Sequence, residues 1–538
     1  MTNPRTVTFT AVASTPSRRF DRGGNSGRLQ RVCIVTAFWI ATTMASPAQS
    51  FTTVHNFAGP AQGGSWPGSG LTQGVDGNLY GTTSAGGGES CTFGCGTIFK
   101  ISPQGTLTML YSFQEPEWGP SSGLIQANDG NFYGTTAYGG GSSNCYAYNG
   151  CGTVYKITPE GGMTTLYSFS ELAAPLSGVI QASDGNFYGT TYYGGGGSCT
   201  FGCGTIFQLT PEGTLTTLTS FAGTNLSAPG GLVQATDGNL FGTTLSGGEG
   251  SAYRLVGNGS VFEITPGGTL TMLYSFCAQT NCTDGGGPGT LIQAANGNFY
   301  GTTLYGGANG KGTVFEITAG GTLTTIYSFC SQPDCTDGNE PTGLMQAADG
   351  NFYGTTLHGS SGGGTIFEIN AGKLTRIYKF SPSGGVYPDG ANPNAGVMQA
   401  ADGSFYGTAT YGGTSSDCTD GCGTVFTFGL PAATLSRTSL NLGRKAVNET
   451  SAARSVTLEN SGVALLEVSN VAVNGNFAIS ANTCTGATLT SGKKCEVSVT
   501  FTPTALGLQT GTLSFADNTG TNSQTVALSG TGIVTATF

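Results

Sequence analysis

The chain has 538 residues, of which 37% are hydrophobic and 9% charged, with 92 glycines and a formal net charge of −10. That apolar content excludes a disordered chain, and the acidic balance excludes a nucleic-acid or anionic-membrane surface. The size allows two or three domains.

Residues 1–48 read as an export signal. Arg28 and Arg31 precede an apolar run from Val32 to Ala45, and Ser46-Pro47-Ala48 offers a small-x-small cleavage site. The run is too short for a confident membrane span, and an uncleaved amino-terminal anchor is the rival reading. Residues 1–48 hold six of the 19 basic residues and one of the 29 acidic ones, leaving 13 against 28 in the mature chain.

From residue 51 to 429 the chain is periodic. Asp129-Gly130-Asn131-Phe132-Tyr133-Gly134-Thr135-Thr136 recurs with small changes from Asp76, Asp184, Asp237, Asn296, Asp349 and Asp402, in steps of 53 to 59 residues. A fixed period of this size marks a repeat architecture. Each repeat offers four strands. Asp-Gly between two strand-like runs is a hairpin turn, because glycine adopts φ > 0 without steric cost. Gly152 to Thr158 is β-branched and aromatic, Pro159-Glu160-Gly161 makes a tight turn, and Met163 to Phe169 forms the last strand. Four antiparallel strands at this period predict a β-propeller blade, and seven copies predict seven blades. The seventh repeat lacks its last strand, whereas Phe51 to Phe57 matches that strand and precedes the first repeat. The expected fold is therefore all-β: a seven-bladed β-propeller closed by the amino-terminal strand, which leaves no exposed edge between first and last blades.

Leu430 to Thr434 reads as a linker. Residues 435–534 hold short strands such as Ser455–Leu458, Cys495–Phe501, Gly511–Phe515 and Thr525–Leu528, which predict an immunoglobulin-like β-sandwich.

Fourteen cysteines outside the signal fall into seven local pairs: Cys91/Cys95, Cys145/Cys151, Cys199/Cys203, Cys277/Cys282, Cys330/Cys335, Cys418/Cys422 and Cys484/Cys495. An even count in adjacent pairs predicts disulfides in an oxidising compartment. A structural zinc would need four ligands, and only His55 and His358 are available to isolated pairs. No Cys-x2-Cys supports a redox role. Cys484 and Cys495 are too close for an inter-sheet bridge and are expected to clip a strand edge.

The strings DGNFYGTT (129–136) and GTVYKITPEGGMTTLYSF (152–169) look like the GloVer tandem repeat of secreted bacterial proteins, over about 380 residues. The strings SVTLENSGVALLEVSNVAV (455–473) and CEVSVTFTPTALGLQTGTLSF (495–515) resemble the hydin-type (choice-of-anchor D) immunoglobulin-like domain of bacterial surface proteins. These resemblances imply a secreted or cell-surface protein. They supply no catalytic residue to carry over. Members often end in an anchoring tail; the absence of an apolar tail after Gly530-Thr531-Gly532 favours release.

In a four-stranded meander the Asp-Gly and Pro-x-Gly turns share one face. The long, variable loops between second and third strands share the other, with the crossings between repeats. Variable loops on a rigid scaffold are where binding concentrates. The ligand-binding candidates there are Trp66, Trp118, Tyr138, Tyr193, Tyr305 and Tyr411, whose flat rings with polar tips suit sugars. The alternative is that these rings pack over glycine-rich loops. The repeated Asp is a turn former. Cys-Thr-Asp-Gly at Cys282, Cys335 and Cys418 lacks calcium-loop spacing, so neither metal nor other cofactor is expected. Glu263, Glu316 and Glu368, at third-strand positions held by Lys100 and Lys156 in earlier repeats, are expected to pair between blades. No catalytic constellation is recognisable. The expected function is non-catalytic binding of an extracellular glycan or surface protein, with no stable membrane span after cleavage. A structural or adhesion role and a polysaccharide-degrading enzyme are the alternatives.

Overall fold

The structure is a computed structural model that describes residues 50–60, 63–87, 91, 94–115, 119–140, 151–199, 202–223, 226–247, 258–519 and 523–534. The expected export signal, Trp118 and Cys145 lie outside the described residues. Among the described residues the chain is all-β. Those residues include the 3-10 turns Thr280–Cys282 and Pro333–Cys335, and among them no helix is long and apolar enough to cross a membrane.

Each repeat folds into one antiparallel meander. In the second repeat the strands are Ile125–Gln126, Phe132–Thr136, Thr153–Ile157 and Met163–Ser168, paired in that order. The second strand is buried along its whole length and the fourth is half exposed. The Phe-Tyr dipeptide explains how a strand can be buried on both faces. Tyr80 stacks on Phe132 of the next repeat at 3.9 Å, and Tyr133 on Phe187 at 4.1 Å. The Thr-Thr that follows is buried without penalty because its second hydroxyl meets the third strand: Thr136 and Thr153 lie 2.8 Å apart, oxygen to oxygen.

Three kinds of contact join each repeat to the next. A glutamine ending the first strand accepts a hydrogen bond from the Asp-Gly turn of the preceding repeat, as in Asn128 N–H to Gln181 at 2.8 Å. A phenylalanine after the fourth strand packs edge-on against the third-strand ring of the next repeat, as in Phe169 on Phe207. A proline before the first strand covers the glycine that opens the third strand of the preceding repeat, as Pro175 covers Gly152.

All three contacts also join the last repeat to the first. Ala401 N–H donates to Gln73 at 2.9 Å, Phe57 packs on Phe99, and Pro67 covers Gly423. Strand Ser50–Asn56 pairs antiparallel with Thr424–Gly429, supplying the fourth strand of the seventh sheet.

The carboxy-terminal segment forms two sheets around one core of Val456, Leu458, Val497, Phe501, Phe515 and Val526 with neighbouring residues. One sheet orders Ala433–Leu435, Arg454–Asn460, Lys494–Phe501 and Phe477–Asn482. The other includes Ser439–Ala446, paired parallel to Ser523–Ile533. Ala433 and Thr434, expected in a linker, already pair with Asn460 and Glu459. Cys484 and Cys495 lie 5.0 Å apart at their Cα atoms, where strand Phe477–Asn482 leaves its neighbour Lys494–Phe501, as a strand-edge clip requires.

Candidate functional site

The long-loop face is built on one backbone device. The residue before each inter-repeat proline is left-handed: Trp66, Gly119, Ala174, Ala228, Gly287, Glu340 and Asn392 have φ between 46° and 63°. Each donates its N–H, at 2.7–3.2 Å, to the carbonyl of the residue preceding the covered glycine of the neighbouring repeat. That residue is the second half-cystine of a local pair in Cys95, Cys151, Cys203 and Cys422. At those four junctions a cysteine pair holds the accepting carbonyl, whereas Asn258, Lys311 and Gly363 supply it at the other three. The described pairs have Cα separations of 4.0–5.3 Å. A left-handed non-glycine residue costs about 1–3 kcal/mol and persists where its surroundings over-determine it.

Between the first and second repeats this face opens into a cleft of about 300 Å³. Trp66, Tyr138 and Pro120 form its apolar lining, Ser84 and Ser121 contribute hydroxyls, and the Cys91–Cys95 pair lies at its edge. Among the described residues, no charged side chain lines it. Of the predicted ligand residues, the structure brings together Trp66 and Tyr138, the latter 39% exposed. Tyr193 packs edge-on against Tyr192 at 4.8 Å. Tyr305 lies over Gly286, with its hydroxyl 3.4 Å from Asn258. Tyr411 is exposed on the seventh repeat.

A second group on this face was not foreseen. His358 Nε2 lies 3.7 Å from the Glu340 carboxylate, and its Nδ1 lies 3.2 Å from Asn392 Nδ2. Glu340 and Asn392 are both left-handed pre-proline residues. The recurring x-Pro dipeptide, present once per repeat, was the sequence feature that marks them.

The opposite, short-turn face is stitched by its own side chains. Asp129 accepts from Asn131 N–H at 3.0 Å, from the Asn131 amide at 2.7 Å and from the Tyr133 hydroxyl at 2.8 Å. The turn-former reading holds, and the tyrosine adds a clasp that local sequence does not display. Burial works against ionisation of Asp129, but these hydrogen bonds and Lys156 hold its carboxyl below the ordinary value. The tyrosines move the other way: burial and Asp184 push Tyr188 up to about 12.

The third-strand carboxylates correct the inter-blade expectation. Glu263 accepts from Asn239, Glu316 from Asn298 and Tyr300, and Glu368 from Asn351, each within its own repeat. The register explains this: Glu316 lies opposite Tyr300 and Glu368 opposite Tyr353, so the side chains reach their own Asp-Gly turn. Lys100 does cross, to the Pro159 carbonyl at 3.4 Å.

Glu368 also lines a cavity of about 620 Å³ between the turns of the sixth and seventh repeats and the carboxy-terminal segment, with Asp349, Asp402, Ser461 and Gln524. Burial first, then the nearby Asp349, raises its carboxyl above the ordinary value.

Two of the Cys-Thr-Asp-Gly carboxylates are loop staples. Asp284 and Asp337 are fully buried and accept from the Tyr274 and Tyr327 hydroxyls and from the backbone of Ala278 and Ser331. Asp420 is exposed. No group of three or more His, Cys, Asp or Glu that could hold a metal occurs among the described residues.

Residues 41–200 and 175–426 match the family model described as the Gloeobacter/Verrucomicrobia repeat. The chain belongs to this repeat family. Residues 430–525 match the ASPM-SPD-2-Hydin (ASH) domain model, so an immunoglobulin-like ASH domain follows the repeats. No curated protein matches the chain. Among solved structures, it is similar to the ASH/PapD-like domain 7 of human CEP192, at 18% identity and a TM-score of 0.16, covering 19% of this chain and 87% of that one. It is also similar to a protein of unknown function from Porphyromonas gingivalis W83, at 15% identity and a TM-score of 0.17, over 19% of this chain and 46% of that one. A protein from Lactobacillus plantarum covers 59% of this Gloeobacter/Verrucomicrobia repeat chain and 84% of its own length, at 16% identity and a TM-score of 0.39.

Proposed function

We propose that this chain is an exported, non-catalytic surface or adhesion-type protein. Its seven repeat sheets close into a seven-bladed β-propeller, and its long-loop face binds an extracellular polysaccharide. Support for closure comes from the contacts between last and first repeats, Ala401 to Gln73, Phe57 to Phe99 and Gly423 to Pro67. Support for export comes from the cysteine pairs at disulfide distance, which persist in oxidising compartments.

The observation that carries the binding reading is the Trp66–Tyr138 cleft. Two aromatic rings with serine hydroxyls, and no charge among the described lining residues, suit a sugar ring, whose apolar face packs on the aromatics while its hydroxyls are hydrogen-bonded. A degradative enzyme is the weaker reading. Its best foothold is the Tyr–Asp pairing of the short-turn face, but burial and the neighbouring carboxylate hold those phenols protonated, the reverse of what a tyrosine base needs.

A glycan-array screen of the protein, with Trp66→Ala and Tyr138→Ala alongside, tests this function. Saturable binding that both variants lose supports it. Absence of binding across the array leaves the structural or adhesion role in its place.

A further inference from the structure

The seven pre-proline residues share one backbone and differ in side chain. Their φ angles span 46–63°, their N–H groups bond equivalent carbonyls, and the proline that follows is pinned over a glycine of the neighbouring repeat. The direction in which each side chain leaves the backbone is therefore fixed. Glycine is the residue this conformation favours, and glycine or alanine occupies four of the seven positions. The other three carry Trp66, Glu340 and Asn392, in the first, sixth and seventh repeats. Those repeats are neighbours through the contacts between last and first repeats.

We propose that the pre-proline residue is the specificity position of the long-loop face, and that Glu340, Asn392 and Trp66 read successive units of one neutral oligosaccharide. This inference rests on the glycan-binding reading above. A bulky or charged residue such as Trp66 or Glu340 holds a left-handed conformation against its intrinsic preference where its side chain has a use, whereas asparagine enters it more readily. Each of the three has one available. Trp66 is a wall of the Trp66–Tyr138 cleft. Glu340 and Asn392 flank the His358 ring, and the Glu340 and His358 side chains are 39% and 44% exposed, so a carboxylate and an imidazole face solvent together. An aromatic platform followed by grouped donors and acceptors matches a chain of hydroxyl-bearing rings. The exposed Glu340 carboxylate disfavours an anionic sugar.

Alanine already occupies this position in Ala174 and Ala228, so Trp66→Ala, Glu340→Ala and Asn392→Ala retain a backbone the fold accepts. Calorimetric titration of the full chain with neutral oligosaccharides, from di- to hexasaccharide, is the test, with Tyr138→Ala as reference and melting curves to confirm folding. Trp66→Ala is expected to weaken every length by about tenfold, as loss of an aromatic platform does. Glu340→Ala and Asn392→Ala are expected to weaken the longer chains several-fold and leave the disaccharide unchanged. Oligosaccharide binding that Trp66→Ala and Tyr138→Ala both weaken but Glu340→Ala and Asn392→Ala leave intact at every length overturns the specificity assignment and keeps the cleft. A wild-type chain that binds none of the series overturns both.

Discussion

Gly423 and Pro67 come from opposite ends of the repeat array, yet a Cβ placed on Gly423 would lie 2.5 Å from Pro67 Cδ. The other six repeat junctions hold the same pair, with distances of 2.5–2.8 Å. Gly423→Ala therefore forces a methyl into a packed junction, at a φ of 93° that also disfavours alanine. The expected loss is about 1–3 kcal/mol for the overpacking alone. Gly403→Ala is the control, because Gly403 has a φ of 87° and nothing within 4 Å of the added Cβ. Thermal melts should place Gly423→Ala clearly below Gly403→Ala. Equal melting temperatures would mean that the junction is not packed.

The glutamine contacts give a second test of closure. Gln73 receives the Ala401 N–H at 2.9 Å and Gln181 receives the Asn128 N–H at 2.8 Å. Gln73→Ala and Gln181→Ala should each cost about 0.5–1.5 kcal/mol, the net worth of such a hydrogen bond. Denaturant titration compares them. A silent Gln73→Ala beside a destabilising Gln181→Ala would show that last and first repeats do not meet.

What could be read from the sequence was what the chain decides locally. Asp129-Gly130 announces a turn, and the flanking alternation announces strands, because both are set within a few residues. The match between the amino-terminal strand and the missing seventh one was also visible, since Phe51 to Phe57 repeats a known string. What stayed hidden depends on two repeats at once. The role of Gln181 needs the turn at Asn128 from the repeat before it. Trp66 was visible as an aromatic loop residue, but its left-handed backbone runs against the extended conformation that a residue before proline prefers. Strand Ser439–Ala446 pairs in parallel with a segment some ninety residues on, a partnership no local pattern encodes. Glu316 was assigned to the wrong partner because side-chain reach along the register, not equivalence between repeats, decides its contact.

The cysteine pairs should differ in their contribution to stability. Cys484 and Cys495 are 11 residues apart, and Cys91 and Cys95 are four apart. The loop-entropy relation gives about 3 kcal/mol for the longer closure and about 2 kcal/mol for the shorter. Cys484→Ser/Cys495→Ser should lower the unfolding transition of the carboxy-terminal domain. Cys91→Ser/Cys95→Ser should act on the repeats, and on glycan affinity as well, since that pair borders the Trp66–Tyr138 cleft. Calorimetric scans of the two variants separate the cases. An affinity unchanged by the second variant would show that the cleft does not depend on its disulfide edge.

Glu368 predicts a pH dependence with a definite sign. Burial and the nearby Asp349 raise its folded pKa above the ordinary 4.5. The folded state therefore holds the proton more tightly than the unfolded one, and the benefit is present below the unfolded pKa and lost as pH rises through the folded one. At neutral pH the ionised side chain is a cost. Glu368→Gln keeps an acceptor for the Asn351 amide, which Glu368 now receives at 2.8 Å, and removes the charge beside Asp349. The variant should melt above wild type at pH 7, and the difference should close as acidification takes the pH well below the ordinary glutamate value, where the carboxyl is protonated in both states. The turn carboxylates Asp76, Asp129 and Asp184 shift the other way, because Asn and Tyr hydrogen bonds outweigh their burial. Their stabilisation is lost in acid by both proteins alike, so it cancels in the comparison. Melting curves of the pair across that range decide the point, and a variant less stable than wild type at pH 7 would show that the Glu368 charge is stabilised by its surroundings.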